Sequence, residues 1–139
     1  MSNVENAVIA REFLTAIAAG DQAAFERVIS PNWVNHDPSL PPFSGLAGVQ
    51  QLSGIFRTAF PDIKMVFEDM LADGDKVAGR FVLTGTNTGS LMGMPPSGKS
   101  VNVTATGILQ IQGGKVTETW VNLDTLGLMQ QVGAIPAHG

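Results

Sequence analysis

The sequence predicts an α+β domain in which N-terminal helices pack on one face of a curved, mainly antiparallel sheet. Two observations carry this expectation. Apolar residues recur at helical spacing through the first 60 residues, and after Pro61 their period shortens to two. A chain of 139 residues without internal repeat or linker-like stretch reads as one domain over 1–139, large enough to bury about two-thirds of its unfolded surface.

The elements follow in order. Val4, Val8, Phe13 and Ile17 mark a first helix, with Gly20 as its stop and Asp21 as the N-cap of the next. Phe25, Val28 and Ile29 supply the apolar face of a short second helix that Ser30-Pro31 ends. Residues 32 to 45, with Pro38, Pro41 and Pro42 inside them and Pro31 at their edge, predict irregular chain. Val49, Leu52, Phe56 and Phe60 define a third helix, which Pro61 terminates. Ile63, Met65, Phe67 and Leu71 then alternate with more polar residues as a strand. Asp73-Gly74-Asp75 is a turn, and KVAGRFVLTGT is a second strand. Residues 88 to 100 form a loop rich in Gly, Pro and Met. VNVTATGILQIQ and KVTETWVNLDTL are two further strands, joined as a hairpin at Gly113-Gly114. The tail from Leu126 is apolar but short.

Composition excludes several functions. The net charge of -4, without a run of Lys or Arg, argues against nucleic acid as a partner. No apolar stretch reaches the 18 or more residues of a membrane span, and the first residues lack a signal peptide's charged start and apolar centre. Zero cysteines exclude thiol chemistry and zinc–thiolate sites and fit a cytoplasmic location. Asn102-Val103-Thr104 matches a glycosylation acceptor, which is discounted without an export signal.

GMPPSGKS, residues 93 to 100, matches the phosphate-loop pattern G-x-x-x-x-G-K-[ST]. A working phosphate loop needs free backbone N–H groups and a helix after it. Pro95 and Pro96 remove two donors, and the following Val-Asn-Val-Thr-Ala-Thr alternates as a strand. The segment is therefore expected to be a loop and not a nucleotide site.

The last strand offers the most chemistry. Val116, Glu118, Trp120, Asn122 and Asp124 are expected on one face, and Val121 and Leu123 on the other. A carboxylate among apolar walls has a raised pKa, which suits a general base or acid near neutral pH. Asp124 is either that group, the cap of a strand end, or the partner of Arg80. The preceding strand presents Thr104, Thr106, Ile108 and Gln110 on one face. A three-residue hairpin loop would pair even with even residues and a two-residue Gly-Gly turn even with odd, and the sequence leaves both open. His36-Asp37 could relay protons, although neighbours in extended chain point opposite ways, which favours a hydrogen-bonded loop residue. The other histidine, His138, lies near the end, so no His-based metal site is expected. Leu91, Met92 and Met94 are either core filling or a soft lid over an apolar ligand. No G-x-S-x-G nucleophile motif is present.

Three segments, NHDPSLPPFSGLAGVQQLSGIFRTAFPDI, DKVAGRFVLTGTNTGSLMGMPPSGKSV and GGKVTETWVNLDTLGLMQQVGA, together resemble the SnoaL-like polyketide cyclases of the nuclear-transport-factor-2-like superfamily, over about residues 5 to 136. The resemblance implies a cone-shaped α+β barrel of three helices and a curved sheet, an apolar pocket, and a homodimer or homotetramer. It also implies that the PPSGK segment is a loop between strands. The activity it implies is an intramolecular aldol condensation of an aromatic polyketide-type ester in secondary metabolism, with no metal or other cofactor. Asp124 matches the family's acid/base on the last strand, with Asn122 and His36 beside it as catalytic candidates. The implied substrate-binding set is Trp33, Phe56, Arg80, Met92, Met94, Thr106, Ile108, Gln110 and Trp120. Trp120 and the methionines would pack flat rings, while Thr106, Gln110 and His36 would hydrogen-bond substrate oxygens. Two positions depart from the family's pattern. Asn122 stands where the cyclases have His, and Asn87 in GTNTG where many relatives read GTHTG. An amide hydrogen-bonds but exchanges no proton at neutral pH. Beside the cyclase, the sequence leaves room for a hydratase or hydroxylation-assisting enzyme and for a binding protein for a small apolar ligand.

Overall fold

A computed structural model describes residues 2–136; His138 lies outside them. Four helices and five strands run in the order α1 (Asn3–Ala19), α2 (Gln22–Val28), β1 (Ile29–His36), α3 (Gly45–Ala59), β2 (Lys64–Asp73), β3 (Lys76–Thr86), β4 (Ser100–Gln112), β5 (Lys115–Leu123) and α4 (Thr125–Gln131). The strands form one sheet in the order β1-β5-β4-β3-β2, antiparallel except for the parallel pair of β1 and β5. The α+β expectation holds. Among the described residues, no helix is long and apolar enough to cross a membrane.

The boundary between the first two helices falls on the predicted Gly20 and Asp21. Ser2 caps α1 by accepting from the Glu5 N–H, and Gly20 ends it in the left-handed region at φ 66°. Asp21 caps α2 through the Ala24 N–H. Beyond Val28 the expectation fails: Ile29 leaves the helix and opens β1, in the stretch read as irregular. Pro31 is tolerated because β1 is an edge strand, and its pairing with β5 shifts register between Ile29 and Val34, where no ladder N–H is required of residue 31. The outer edge of β1 is covered by its own returning chain. The Asn35 N–H donates to the Phe43 carbonyl, and Val34 bridges Ser44.

Two bulges set which residues face the helices. In β2 the register shifts between Phe67 and Asp69, so the alternation inverts. Phe67 is buried, but Leu71, predicted on the same face, is 75% exposed, and Met70 and Ala72 take the inward positions. In the β4–β5 hairpin, Gly113 and Gly114 form a two-residue turn with φ 60° and 79°, pairing Gln112 with Lys115. A shift beside Thr117 then converts even-with-odd into even-with-even pairing, Gln110 with Glu118 and Ile108 with Trp120. Val116 and Glu118 therefore lie on opposite faces, which corrects the expected single face.

Helices cover the face formed by Phe81, Leu83, Val103, Ala105, Leu109, Thr119 and Val121, and the core lies between. The other face carries Arg80, Thr106, Ile108, Trp120 and Asn122 and is open. The tail, read only as short and apolar, forms α4. Its Gln131 side chain accepts from the Asn102 N–H and donates to the Asn102 carbonyl, pairing the stretch of β4 that outruns β5.

Candidate active site

The inner face of the sheet and the helices enclose an apolar cavity. Phe13, Leu14 and Ile17 of α1, Leu52 and Phe56 of α3, and Met65, Phe81, Val121 and Leu123 of the sheet form its walls. Asn35, Asp37 and Thr119 are its polar members, with Leu40 beside them. The enclosed volume is about 50 Å³, well below the roughly 150 Å³ that takes a benzene ring. Asn35, Asp37 and Leu40 also line a cleft of about 380 Å³, walled by Pro38, Pro42, His36, Trp120 and Asn122. The three residues common to both spaces mark the mouth of the cavity.

The mouth is built by strand alternation. Asn35 pairs with Thr119 across β1 and β5 and points inward, while His36 pairs with Trp120 and points outward. The Trp33 indole N–H donates to Thr119 Oγ1 at 3.2 Å, and Thr119 Oγ1 donates to Asn35 Oδ1 at 2.7 Å. Trp33 and Thr119 are fully buried and Asn35 is 6% exposed. Asp37, half-buried, follows the strand. Its Oδ1 accepts from the Ser39 N–H at 2.9 Å and the Ser39 hydroxyl at 2.6 Å. Oδ2 takes part in neither bond.

The expected site residues divide between the two faces. Phe56 lines the cavity. Trp33 is buried as a hydrogen-bond donor within the wall and offers no surface to a ligand. Of the two β5 faces it is the odd one, Thr119, Val121 and Leu123, that turns toward the cavity, so Trp120 and Asn122 belong to the outer face. Trp120 and Asn122 meet the site only at its mouth cleft. Thr106, Ile108 and Arg80 line a groove of about 540 Å³ on the outer face together with Trp120 and Asn122, and Arg80 pairs with Glu68 at 3.7 Å, not with Asp124. Gln110 is also outward and reaches Asp75. His36 is exposed, meets Glu118 Oε2 at 2.6 Å and stacks on Trp120 with ring centroids 5.4 Å apart. Met92 and Met94 line neither cavity nor cleft. Met92 is an exposed loop tip with φ 44°, while Leu91 is buried and Met94 packs against the core, so core filling describes both better than a lid.

Asp124 is exposed. It is the N-cap of α4, accepting from the Gly127 N–H at 2.9 Å, and lines neither cavity nor cleft. Of the sequence alternatives, capping is the one realised, at a helix rather than at a bare strand end. Asn87 is also structural: its buried amide donates to the Ala59 and Gly89 carbonyls and accepts from the Ser97 N–H and hydroxyl. The same arrangement disposes of the phosphate-loop match. The N–H groups of Met94, Ser97, Gly98 and Lys99 are taken by Leu91, Asn87 and Ser97, and β4 follows where a helix would be needed. Among the described residues, no three His, Cys, Asp or Glu side chains gather as metal ligands.

Sequence reasoning did not single out Asn35, Thr119, Leu40 or the α1 residues as site members. The usable signal was β1 itself: once 33–36 is extended, Trp33 and Asn35 share a face and His36 takes the other.

A five-stranded mixed sheet with helices on one face and an apolar cavity between, bordered by polar groups, defines an α+β fold of one covered and one open sheet face. The chain belongs to the SnoaL-like polyketide cyclase family, whose profile matches residues 7–132. No curated protein matches the sequence. Among solved structures, it is similar to AclR from Streptomyces galilaeus, provisionally assigned as a hydroxylase, with 27% identity over 99% of this chain and 87% of that one and a TM-score of 0.84. It is similar to a provisionally assigned polyketide cyclase from Bacillus cereus ATCC 10987, with 30% identity, 94% and 82% coverage and a TM-score of 0.80. It is also similar to IdmH from Streptomyces antibioticus, assigned in the same way as a polyketide cyclase, with 26% identity, 92% and 98% coverage and a TM-score of 0.80.

Proposed function

We propose that this protein is a cofactor-independent cyclase that closes a ring in a small, apolar, polyketide-type ester by intramolecular aldol condensation at the mouth of the inner cavity. The observation that carries the reading is the placement of one half-buried carboxylate, Asp37, where apolar cavity and open cleft meet. In this reaction a carboxylate removes a proton from a carbon next to a carbonyl, and the electrons move onto that oxygen as an enolate. The enolate carbon bonds to a second carbonyl carbon of the same molecule, and the new alkoxide takes the proton back from the acid. One carboxylate with a free oxygen, near both reacting atoms and shielded on one side, meets these needs.

Two carboxylates compete for this role. Family resemblance favours Asp124; position favours Asp37, because Asp124 caps α4 outside the cavity. Turnover of an anthraquinone-type keto ester by wild type, Asp37→Asn and Asp124→Asn, read by chromatography, separates them. Loss of roughly 10²–10⁴-fold in Asp37→Asn alone assigns the base to Asp37; the same loss in Asp124→Asn alone returns it to Asp124.

The likeness to AclR supports a second reading, a hydratase or hydroxylation-assisting role. Incorporation of ¹⁸O from labelled water would reveal a hydratase. Ligand binding by a wild type that turns nothing over favours a binding protein. A homodimer or homotetramer, implied by the family, is supported by apolar Leu71 and Ile108 on the open sheet face, and light scattering after size exclusion tests it.

A further inference from the structure

We propose that Asn35 holds the substrate carbonyl in this site, its side-chain N–H donating to the oxygen on which enolate charge collects; the assignment rests on the cavity-mouth reading above. It comes from the direction of a buried hydrogen-bond chain. An indole N–H can only donate, so Trp33 gives its proton to Thr119 Oγ1. Thr119 spends its own proton on Asn35 Oδ1. With Oδ1 committed as acceptor, the amide is fixed, and Nδ2 is the end left over. The reverse orientation would aim two donors at Thr119 and leave its buried proton without an acceptor among the described residues, which costs more than an ordinary hydrogen bond yields.

Nδ2 has no acceptor among the described residues. Asn6 Oδ1 is the one side-chain polar atom there that is both sealed from solvent and unpartnered. The equally unpartnered Nδ2 of Asn35 therefore reaches open space, and the space that residue 35 lines is the cavity and its mouth cleft. Asp37, two residues on, lines the same two spaces. A donor with fixed direction and an acceptor with a free oxygen thus flank one opening. That pair suits a carbonyl compound with an acidic α-hydrogen: the donor takes the oxygen, the carboxylate takes the proton. Because two fully buried side chains hold the amide, it needs no reorganisation when charge develops. Asn35 contacts substrate in this scheme, while Thr119 and Trp33 are positioning residues.

The test uses two probes of similar shape, acetophenone labelled with ¹³C at its carbonyl and ethylbenzene, with binding followed by NMR. Wild type should bind the ketone roughly 3- to 10-fold tighter than the hydrocarbon, the worth of one neutral hydrogen bond. Its carbonyl resonance should move downfield on binding. Asn35→Ala should bind both equally, without the downfield move. Thr119→Val, which frees the amide to rotate, should lose much of the preference, and Thr119→Ser should restore it. Should Asn35→Ala not fold, the wild-type resonance and the Thr119 pair still decide. A preference that survives Asn35→Ala, indifference to Thr119→Val, or bound ketone without a downfield move in wild type overturns the Asn35 assignment and leaves the cavity reading standing. A wild type that binds neither probe overturns the cavity reading and this assignment with it.

Discussion

Asp124 illustrates how one carboxylate can answer to two descriptions. The sequence resemblance offers it as an acid/base candidate, yet its oxygen accepts from the Gly127 N–H at the start of α4. Removal of an N-cap typically costs about 1 kcal/mol. Asp124→Ala should therefore lower the melting temperature by a few degrees, and Asp124→Asn, still a competent cap, by much less; thermal unfolding followed by circular dichroism checks both. Asn87 carries more, because four bonds to a buried amide tie the 88–98 loop to the end of α3. Asn87→Ala should cost roughly 2–4 kcal/mol in urea unfolding, mostly from stranded partners. Asp62 bears on acid stability. The Thr86 N–H, then the Thr86 hydroxyl, hold its carboxyl below the ordinary 3.8. These bonds favour the ionised form, so their stabilisation is complete above the unfolded value and is lost as pH falls through the lowered native one. Asp62→Asn should flatten the acid limb of stability against pH in that window and nowhere else. None of the three roles shows in residue type alone, because each depends on backbone partners that only the fold supplies.

Elements were more legible than the faces they present. The spacing of Val4 to Ile17 and of Val49 to Phe60, with Gly20 and Pro61 as stops, located α1 and α3 because amphipathic period and caps are local properties. KVAGRFVLTGT coincides with β3. β1 was hidden, since its pairing partner β5 lies more than 80 residues away and Pro31 speaks locally against a strand. The bulges in β2 and β5 were hidden for the same reason: an extra residue changes no local propensity but inverts every side chain beyond it. That inversion moved Leu71 outward and separated Val116 from Glu118. The loop after β3 supplies a test at this scale. A Cβ on Gly89 would overlap the Thr58 carbonyl at the end of α3, backbone against backbone. Gly89→Ala should displace the loop and destabilise the fold by more than the roughly 1 kcal/mol of an average substitution, whereas Gly54→Ala, on the same helix but with open space before it, should be neutral or stabilising.

For the whole molecule, the helix-covered face of the sheet borders the inner cavity, while the conspicuous residues Trp120, Asn122, Arg80 and His36 lie on the opposite side. Aromatic and charged residues drew attention, while the cavity's polar members, Asn35 and Thr119, are chemically modest and were identified by position alone. The family, in contrast, was legible from whole segments, because a pattern spread over the chain survives local misreading. The edges of the sheet have a consequence of their own. β1 is screened by Pro31 and by its returning chain at Phe43 and Ser44, and β2 is bulged and carries Lys64, Glu68 and Asp69. Neither flank offers the uninterrupted row of backbone groups on which a foreign strand could crystallise. The folded protein is therefore a poor template for fibres. Any assembly it forms must join side-chain surfaces, so amide hydrogen exchange along β1 and β2 should be the same in monomer and oligomer.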